Sequence, residues 1–311
     1  MFVVSQSVKK LIAKNYQQVS PKRKLERIIP YLLLATALVS VLTTIGIVLT
    51  LLSETIQFFT RVSFVEFFTG TVLKPMSQNP EFGILPLVLG TLVSTVIAML
   101  VAVPIGLMAA IYLSEYAPSR IRKIFKPMLE LLAGIPTIVY GFFAFLFVTP
   151  LLQKVIPSLE TTNILSPGIV MGIMIIPMIA SLSEDAMRAV PTALRDGALG
   201  LGATKFEVTR KVVIPAAMSG IVAAFLLGIS RAIGETMIVT IASGSTKNFT
   251  LDVTQSMQTM TSYIVEVTGG DAAAGSTIYY SLYAVAMTLF VFTLLMNMAA
   301  RYVANRWKEE Y

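Results

Sequence analysis

Six stretches of this chain, at about 31–58, 85–113, 128–152, 166–190, 216–242 and 278–300, are long, apolar and nearly free of charge. A hydrocarbon layer about 30 Å thick needs roughly 20 apolar residues, at about 1.5 Å each, to be crossed by a helix. All six stretches meet that length. The pattern therefore predicts an all-α, polytopic membrane protein with six transmembrane helices. Composition agrees: 13% of the 311 residues are charged, 55% are hydrophobic, and mean hydropathy is +0.77. Ordinary soluble domains carry about 25% charged residues. Pro104, Gly134, Pro136, Gly172 and Pro177 fall inside the runs. They are tolerated in bundles whose neighbouring helices satisfy the freed backbone groups.

The net charge of +7 resolves into topology once the positions of the charges are considered. Loops on the cytoplasmic side carry the excess of Lys and Arg. With the N-terminus inside, nineteen of the 24 basic residues fall inside: seven in the tail, Arg120 to Lys126, Arg188 to Lys211, and Arg301, Arg306 and Lys308. Arg61, Lys74, Lys154 and Lys247 fall outside, and Arg231 lies within a span. Both termini are thus expected to be cytoplasmic, and little basic excess is left for nucleic acid. The chain divides into a basic segment 1–29, a first transmembrane helix 30–58, an outer connection 59–84, and a core 85–301 holding five spans and an inner loop at 191–215.

In the tail, Phe2, Val3, Val4, Val8, Leu11 and Ile12 allow either a short interfacial helix or a segment held near the membrane by charge alone. The outer connections carry Phe64, Phe67 and Phe68 in the first, and Val253, Met257, Met260 and Ile264, spaced for a short helix, in the second. Both suit either a docking surface or lids on the bundle.

The residue inventory excludes much chemistry. There is no cysteine and no histidine, which removes thiolate metal sites and the usual general base. Gly270 to Thr277 has the glycine spacing of a phosphate-binding loop, but Ser276 stands where the lysine belongs and no strand precedes it. Gly197, Gly200 and Gly202 do not fit the order of a dinucleotide fingerprint. No catalytic or metal residues are assigned.

The fifth run carries Arg231 and Glu235. At about 100° per residue, Gly220, Ala224, Gly228 and Ala232 form one small-residue stripe of the kind that packs helices closely. Arg231 and Glu235 fall in that sector, and Val222, Leu226, Ile229 and Ile233 fall opposite, toward lipid. An arginine near mid-membrane costs at least about 2.5–3.5 kcal/mol, so a compensating role is expected. One reading is an ion pair four residues apart that locks helices together. The other is an anion path, with Arg231 offering a planar fork to an oxyanion and Glu235 orienting Arg231 and accepting a hydrogen bond from a protonated oxyanion, which favours phosphate over sulfate.

The inner loop is more specific. Asp196-Gly197-Ala198, three residues, Gly202, nine residues, then Val212-Val213-Ile214-Pro215 resembles the EAA loop of bacterial ABC importer permeases, whose pattern is E-A-A, three residues, G, nine residues, I-x-L-P. Ala198, Gly202 and Pro215 match outright, Asp196, Val212 and Ile214 are conservative, and Gly197 departs from the alanine. LSEYAP at 113–118, KPMLELLAGIPTIVYGFF at 126–143 and SRAIGETM at 230–237 resemble phosphate-importer permeases. The long first outer connection, with ETIQFF and EFFTGT, is similar to the PstC-type subunit rather than the PstA-type. The resemblance runs from about residue 30 to the C-terminus.

This resemblance implies the type I ABC importer permease fold in a bacterial plasma (inner) membrane. It implies a non-catalytic subunit paired with a homologous PstA-type permease, an ATPase dimer that binds ATP and Mg, and a periplasmic phosphate-binding protein. Inorganic phosphate would be the substrate. Two alternatives stay open: a permease of the same architecture for another oxyanion, and an anion transporter without an ATPase, which the EAA-like loop argues against. No cofactor is expected on this chain. A short helix over about 203–208 would dock in an ATPase cleft, with Phe206 as its apolar knob and Lys205 and Glu207 at its rim. Ala203 and Thr204 open that helix.

Overall fold

The computed structural model describes residues 20–270 and 272–306. Two compact units are distinguished, residues 1–53 and residues 54–311. The described residues of the first belong to α1 (Ser20–Phe59), a single helix that continues into the second unit, accommodates Pro30 and begins ahead of the expected residue 30. The apolar face expected over 2–12 lies outside the described residues.

In the second unit the chain runs through the last turns of α1 and a short helix α2 (Phe64–Thr69) into a hairpin of two-residue strands, β1 (Leu73–Lys74) and β2 (Glu81–Phe82). The hairpin is a small departure from an all-α chain. α3 (Leu85–Ile111) follows and ends in a π-helical turn, Tyr112–Tyr116. Next come α4 (Ser119–Ala133), α5 (Thr137–Phe143), a π turn at Ala144–Val148, and α6 (Thr149–Gln153). α7 (Leu165–Ala189) and α8 (Thr192–Gly200) precede the single turn α9 (Lys205–Val208), a π turn at Thr209–Val213 and α10 (Ile214–Ala216). α11 (Met218–Ile233), α12 (Met237–Ala242), α13 (Met260–Gly269) and α14 (Thr277–Arg306) complete the unit.

Among the described residues four helices are long and apolar enough to cross a membrane unbroken: Ile28–Phe59, Leu85–Tyr116, Leu165–Ala189 and Thr277–Ala299. The third and fifth expected spans are bent pairs, Ser119–Ala133 with Thr137–Gln153 at 85°, and Lys205–Ala216 with Met218–Ile233 at 69°. Six spans are reached only if each pair counts as one. The first bend follows from Gly134-Ile135-Pro136. Proline drives the residue before it out of the helical region, and Gly134 closes α4 by donating to the Glu130 and Leu131 carbonyls. Pro104 and Pro177 sit inside continuous helices.

α3 and α7 form the centre of the unit. Lipid gives little hydrophobic drive for helix association, so close packing has to supply it. Ala98 and Ala102 of α3 are fully buried against Val170, Met171, Ile175 and Ile179 of α7. The glycines set the distance. A methyl group at Gly106 would lie 2.8 Å from Ile179 Cγ2, and one at Gly172 would lie 2.8 Å from the Ala98 carbonyl oxygen.

Separate clusters close the two ends of this pair. At the Leu85 end, Phe58, Phe67, Phe82, Leu87 and Tyr263 pack together, Phe58 meeting Phe67 and Phe82 edge-on at 5.3 and 5.5 Å between ring centres. Phe67, Leu73 and Phe82 are thus part of the core, and this connection serves as a lid. Burial pushes the Tyr263 hydroxyl up to about 12. At the other end, Ala110, Met187, Val208, Val213 and Ile221 form the base of the loop.

The second outer connection differs from expectation. Only Met260 and Ile264 of the four spaced residues are helical, in α13. Asp252 ends any earlier helix by accepting from the Thr254 hydroxyl at 2.7 Å, the Thr254 N–H at 3.0 Å and Gln255 Nε2. Asp side chains that bond nearby backbone in this way compete with helix formation. The same Thr254 bonds hold the Asp252 carboxyl below its ordinary value. The segment then runs, buried, across α3 at Gly90, where a methyl group would collide with the Gln258 carbonyl. The Met260 N–H donates to Thr91 Oγ1 at 3.0 Å.

Candidate functional site

α11 carries Arg231 in its last turn and stops at Ile233, with Gly234 closing it. The expected stripe is buried at Ala224, Gly228 and Ala232 and half-buried at Gly220. The opposite face is covered as well: Val222, Leu226 and Ile229 are half-buried and Ile233 is 2% exposed, so the expected lipid face is corrected. α14 packs along this helix, with Ser230 Oγ donating to Asn297 Oδ1 at 2.7 Å.

Glu235 lies beyond the helix end, so a helical wheel does not place it. The structure nevertheless brings it to Arg231, whose Nη1 donates to Glu235 Oε2 at 2.6 Å. The other carboxylate oxygen accepts from the N–H groups of Met237 and Ile238 at 3.2 and 3.4 Å, at the start of α12. Thr261 Oγ1 donates to the Glu235 carbonyl at 2.7 Å. Glu235 is 2% exposed with both oxygens engaged, whereas the Arg231 side chain is 41% exposed. The pair is therefore asymmetric, with the carboxylate built into the fold and the guanidinium at a surface. That surface is a cleft of about 370 Å³ between α4, α5, α7 and α11, lined by Arg231, Glu130, Thr137, Ser181 and the thioether of Met174, among others. Arg231 Nη2 reaches the Met174 sulfur at 3.6 Å, a weak acceptor.

The inner-loop residues assemble at the opposite end of α7 from the hairpin. Asp196 and Ala198 lie on α8, and the chain reverses at Gly202, whose φ of +86° favours glycine. The Ala203 N–H then returns to the Ala198 carbonyl at 3.1 Å, and both alanines pack against the base cluster. Ala203 belongs to this turn rather than to the helix. Thr204 is the N-cap of α9 in a reciprocal capping box: Glu207 N donates to Thr204 Oγ1 at 3.3 Å and Thr204 N donates to Glu207 Oε2 at 3.0 Å. The expected helix is thus one turn, Lys205–Val208, running on into a π turn. Val208 points into the base cluster and Phe206 is 63% exposed. Lys205 Nζ sits 5.1 Å from the centre of the Tyr116 ring, Lys211 pairs with Glu207 at 3.3 Å, and Pro215 is exposed in the turn before α11.

Two groups of ionic contacts at the same end were not expected. Glu184 of α7, 1% exposed, meets Arg122 at 2.6 Å, Lys126 at 3.0 Å and Arg188 at 3.8 Å. Lys126 also pairs with Asp185. This clasp holds the first half of α4, ahead of the 85° bend, to α7. Arg195 of α8 reaches the Glu115 carboxylate at 3.2 Å and the carbonyls of Met187 and Val190 at 2.7 and 2.6 Å. It ties the loop to the π turn of α3 and the end of α7. Two carboxylates, Glu184 and Asp185, inside the fourth apolar run were the available signal.

Replacing Glu184 with alanine leaves three cations facing one another. They are a quarter to a half exposed and can hydrate, so the cost is below that of a fully buried pair, about 1–3 kcal/mol. A thermal melt of the purified protein in detergent is expected to shift down by several degrees, with Glu184→Gln less affected. An unchanged melt for the alanine variant would remove the clasp as a stabilising contact.

Among the described residues there is no cluster of acidic side chains able to hold a metal. What fold and geometry define is a helical membrane protein with a charged cleft and a rigidly mounted surface helix. The chain belongs to the family of binding-protein-dependent transport system inner membrane components, whose model matches residues 102–309 and so includes both the loop and α11. It is an ABC importer permease and a multi-pass membrane protein. It is 33% identical over 276 residues to a probable ABC transporter permease, YqgH, of Bacillus subtilis, covering 88% of this chain and 89% of that one. It is also 33% identical over 281 residues to the phosphate transport system permease protein PstC of Mesorhizobium japonicum, with 84% of each covered. Of solved structures, it is similar to a bacterial alginate ABC transporter in complex with an alginate-bound periplasmic protein. That match has a TM-score of 0.64 and 15% identity, and covers 90% of this chain and 96% of that one. The inward-facing MetNI methionine transporter matches with a TM-score of 0.54 and 16% identity, covering 73% and 95%. These last two speak for the fold alone.

Proposed function

We propose that this chain is one of the two homologous permease subunits of an ATP-driven phosphate importer in a bacterial plasma membrane. The observation that carries the reading is Arg231, an arginine with unsatisfied donors on the wall of a cleft within the helical bundle. The similarity to PstC proteins supports phosphate as the anion. The partner permease is PstA-type, and an ATPase dimer with ATP and Mg engages the loop at 191–215. A phosphate-binding protein delivers substrate to the side carrying 59–84 and 244–277. Both termini then lie in the cytoplasm, in keeping with the basic residues around the loop. The protein itself catalyses no reaction. Asp196 to Pro215 receive the movement, and Arg231, held by Glu235, meets the anion.

The test is reconstitution of the four components in vesicles with radiolabelled phosphate inside or outside. Uptake is expected only with ATP and the ATPase both present. Phosphate uptake that persists without the ATPase sinks the reading.

A further inference from the structure

Near neutral pH phosphate keeps a proton that sulfate has lost, so a carboxylate separates them. It accepts a hydrogen bond from P–OH and repels an oxyanion with nothing to donate. Glu235 is the carboxylate paired with Arg231, but it is buried and three of its roughly four acceptor sites are already used. It is 2% exposed, one oxygen is taken by Arg231 and the other by two backbone N–H groups that start α12. Moving it would uncap that helix.

The cleft holds a second carboxylate. Glu130 of α4 lines it together with Arg231, and these two are the ionisable side chains of its wall among the described residues. Glu130 is exposed and belongs to none of the ion pairs just described. Its helix is fixed to α7 by the Arg122–Glu184 and Lys126–Glu184 contacts, on the face that also bears Leu129 and Ala133. The acid is therefore presented from a held element. The proton decides the selectivity, because hydrogen phosphate and sulfate carry the same double negative charge. Arg231 is already offset by Glu235, so its attraction for either dianion is partly spent. Sulfate brings no donor and meets the Glu130 carboxylate only as a like charge. An oxyanion that brings its own proton turns the same carboxylate into an acceptor, while Arg231 donates from the other side.

We propose that Glu130 is the specificity-determining residue of the cleft, accepting a hydrogen bond from the P–OH group of hydrogen phosphate and turning away sulfate. This rests on the reading of the cleft as the anion site. It moves the hydrogen-bond-accepting role expected of Glu235 to Glu130 and leaves Glu235 as the positioning residue of Arg231.

The assembled permease–ATPase complex in lipid nanodiscs, without the binding protein, tests this because selection by the binding protein is then absent. Bound radiolabelled phosphate is displaced with unlabelled phosphate or with sulfate at neutral pH. For the wild type, sulfate is expected to compete at least about tenfold more weakly. Glu130→Gln, which keeps the shape and adds an N–H donor, is expected to narrow that gap by about tenfold, the size of one hydrogen bond to a charged group. Glu130→Asp, which keeps the carboxylate, is expected to retain most of the preference. A wild type without preference, or a Glu130→Gln complex that discriminates as the wild type does, overturns the proposal. Undiminished phosphate binding by an Arg231→Gln complex would instead overturn the assignment of the cleft itself, and with it the role of Glu130.

Discussion

Replacing Arg231 with glutamine is expected to lower phosphate uptake by the reconstituted importer by about a hundredfold, while the complex still assembles. Hydrogen bonds to a charged group are worth about 1.5–3 kcal/mol each, and about 2.7 kcal/mol already corresponds to a hundredfold. Two features separate this loss from a failure to fold. Arg231 is 41% exposed and faces the cleft, so a smaller polar side chain leaves no dry void. Glu235 retains its bonds to Met237 and Ile238 and keeps its place at the start of α12. Arg231→Lys preserves the charge but not the fork and is expected to fall between the two. Size-exclusion profiles taken alongside uptake decide the matter. If the glutamine variant does not assemble, the pair is a lock between α11 and α12 and not part of a path.

Phe206→Asp is expected to disconnect ATP turnover from transport. An aromatic ring that is 63% exposed on a single capped turn contributes little to the fold of its own subunit. Buried in a partner's groove, such a ring is the kind of side chain on which binding energy concentrates, commonly 2 kcal/mol or more. A carboxylate there costs more still, because it is desolvated unpaired. Transport is expected to fall to background while the permease folds normally and ATP hydrolysis loses its response to substrate. Gly202→Pro reaches the same end by another route, since proline cannot adopt the φ of +86° that lets Ala203 return to Ala198. Substrate-stimulated ATP turnover in either variant would refute the assignment of this turn as the docking element.

The helical runs were legible because lipid leaves the backbone few alternatives, and length with apolarity is then nearly sufficient. Where those helices break was not. Pro104, Pro136 and Pro177 look alike in the sequence, yet only Pro136, behind Gly134 and Ile135, lies at a bend. Whether proline interrupts a helix depends on neighbours that close the freed groups, and those are remote in sequence. The loop was legible because its glycine and alanines answer local demands, a reversal of the chain and a close return. Arg231 and Glu235 were found by charge alone, but Gly234 ended the helix between them, so the pairing arises by a different route from the one the periodicity suggested. The Glu184 clasp joins residues 122 and 126 to residue 184 across two helices. Nothing local to Glu184 names the two cations of α4 that it meets. Glu130 likewise gains meaning only from the cleft that α4, α7 and α11 make together.

The glycine contacts between α3 and α7 limit how this subunit can change shape. With Ile179 against Gly106, Ile97 against Gly168 and Val101 against Gly172, the two helices have no slack along their shared axis. Sliding either by half a turn would drive β-branched side chains into backbone. The bends left between helices are the 85° corner before α5, the 69° corner before α11 and the break at Gly234. Under the proposed docking at Phe206, a load applied there is expected to turn the chain at those corners, and the break at Gly234 is the one next to the guanidinium.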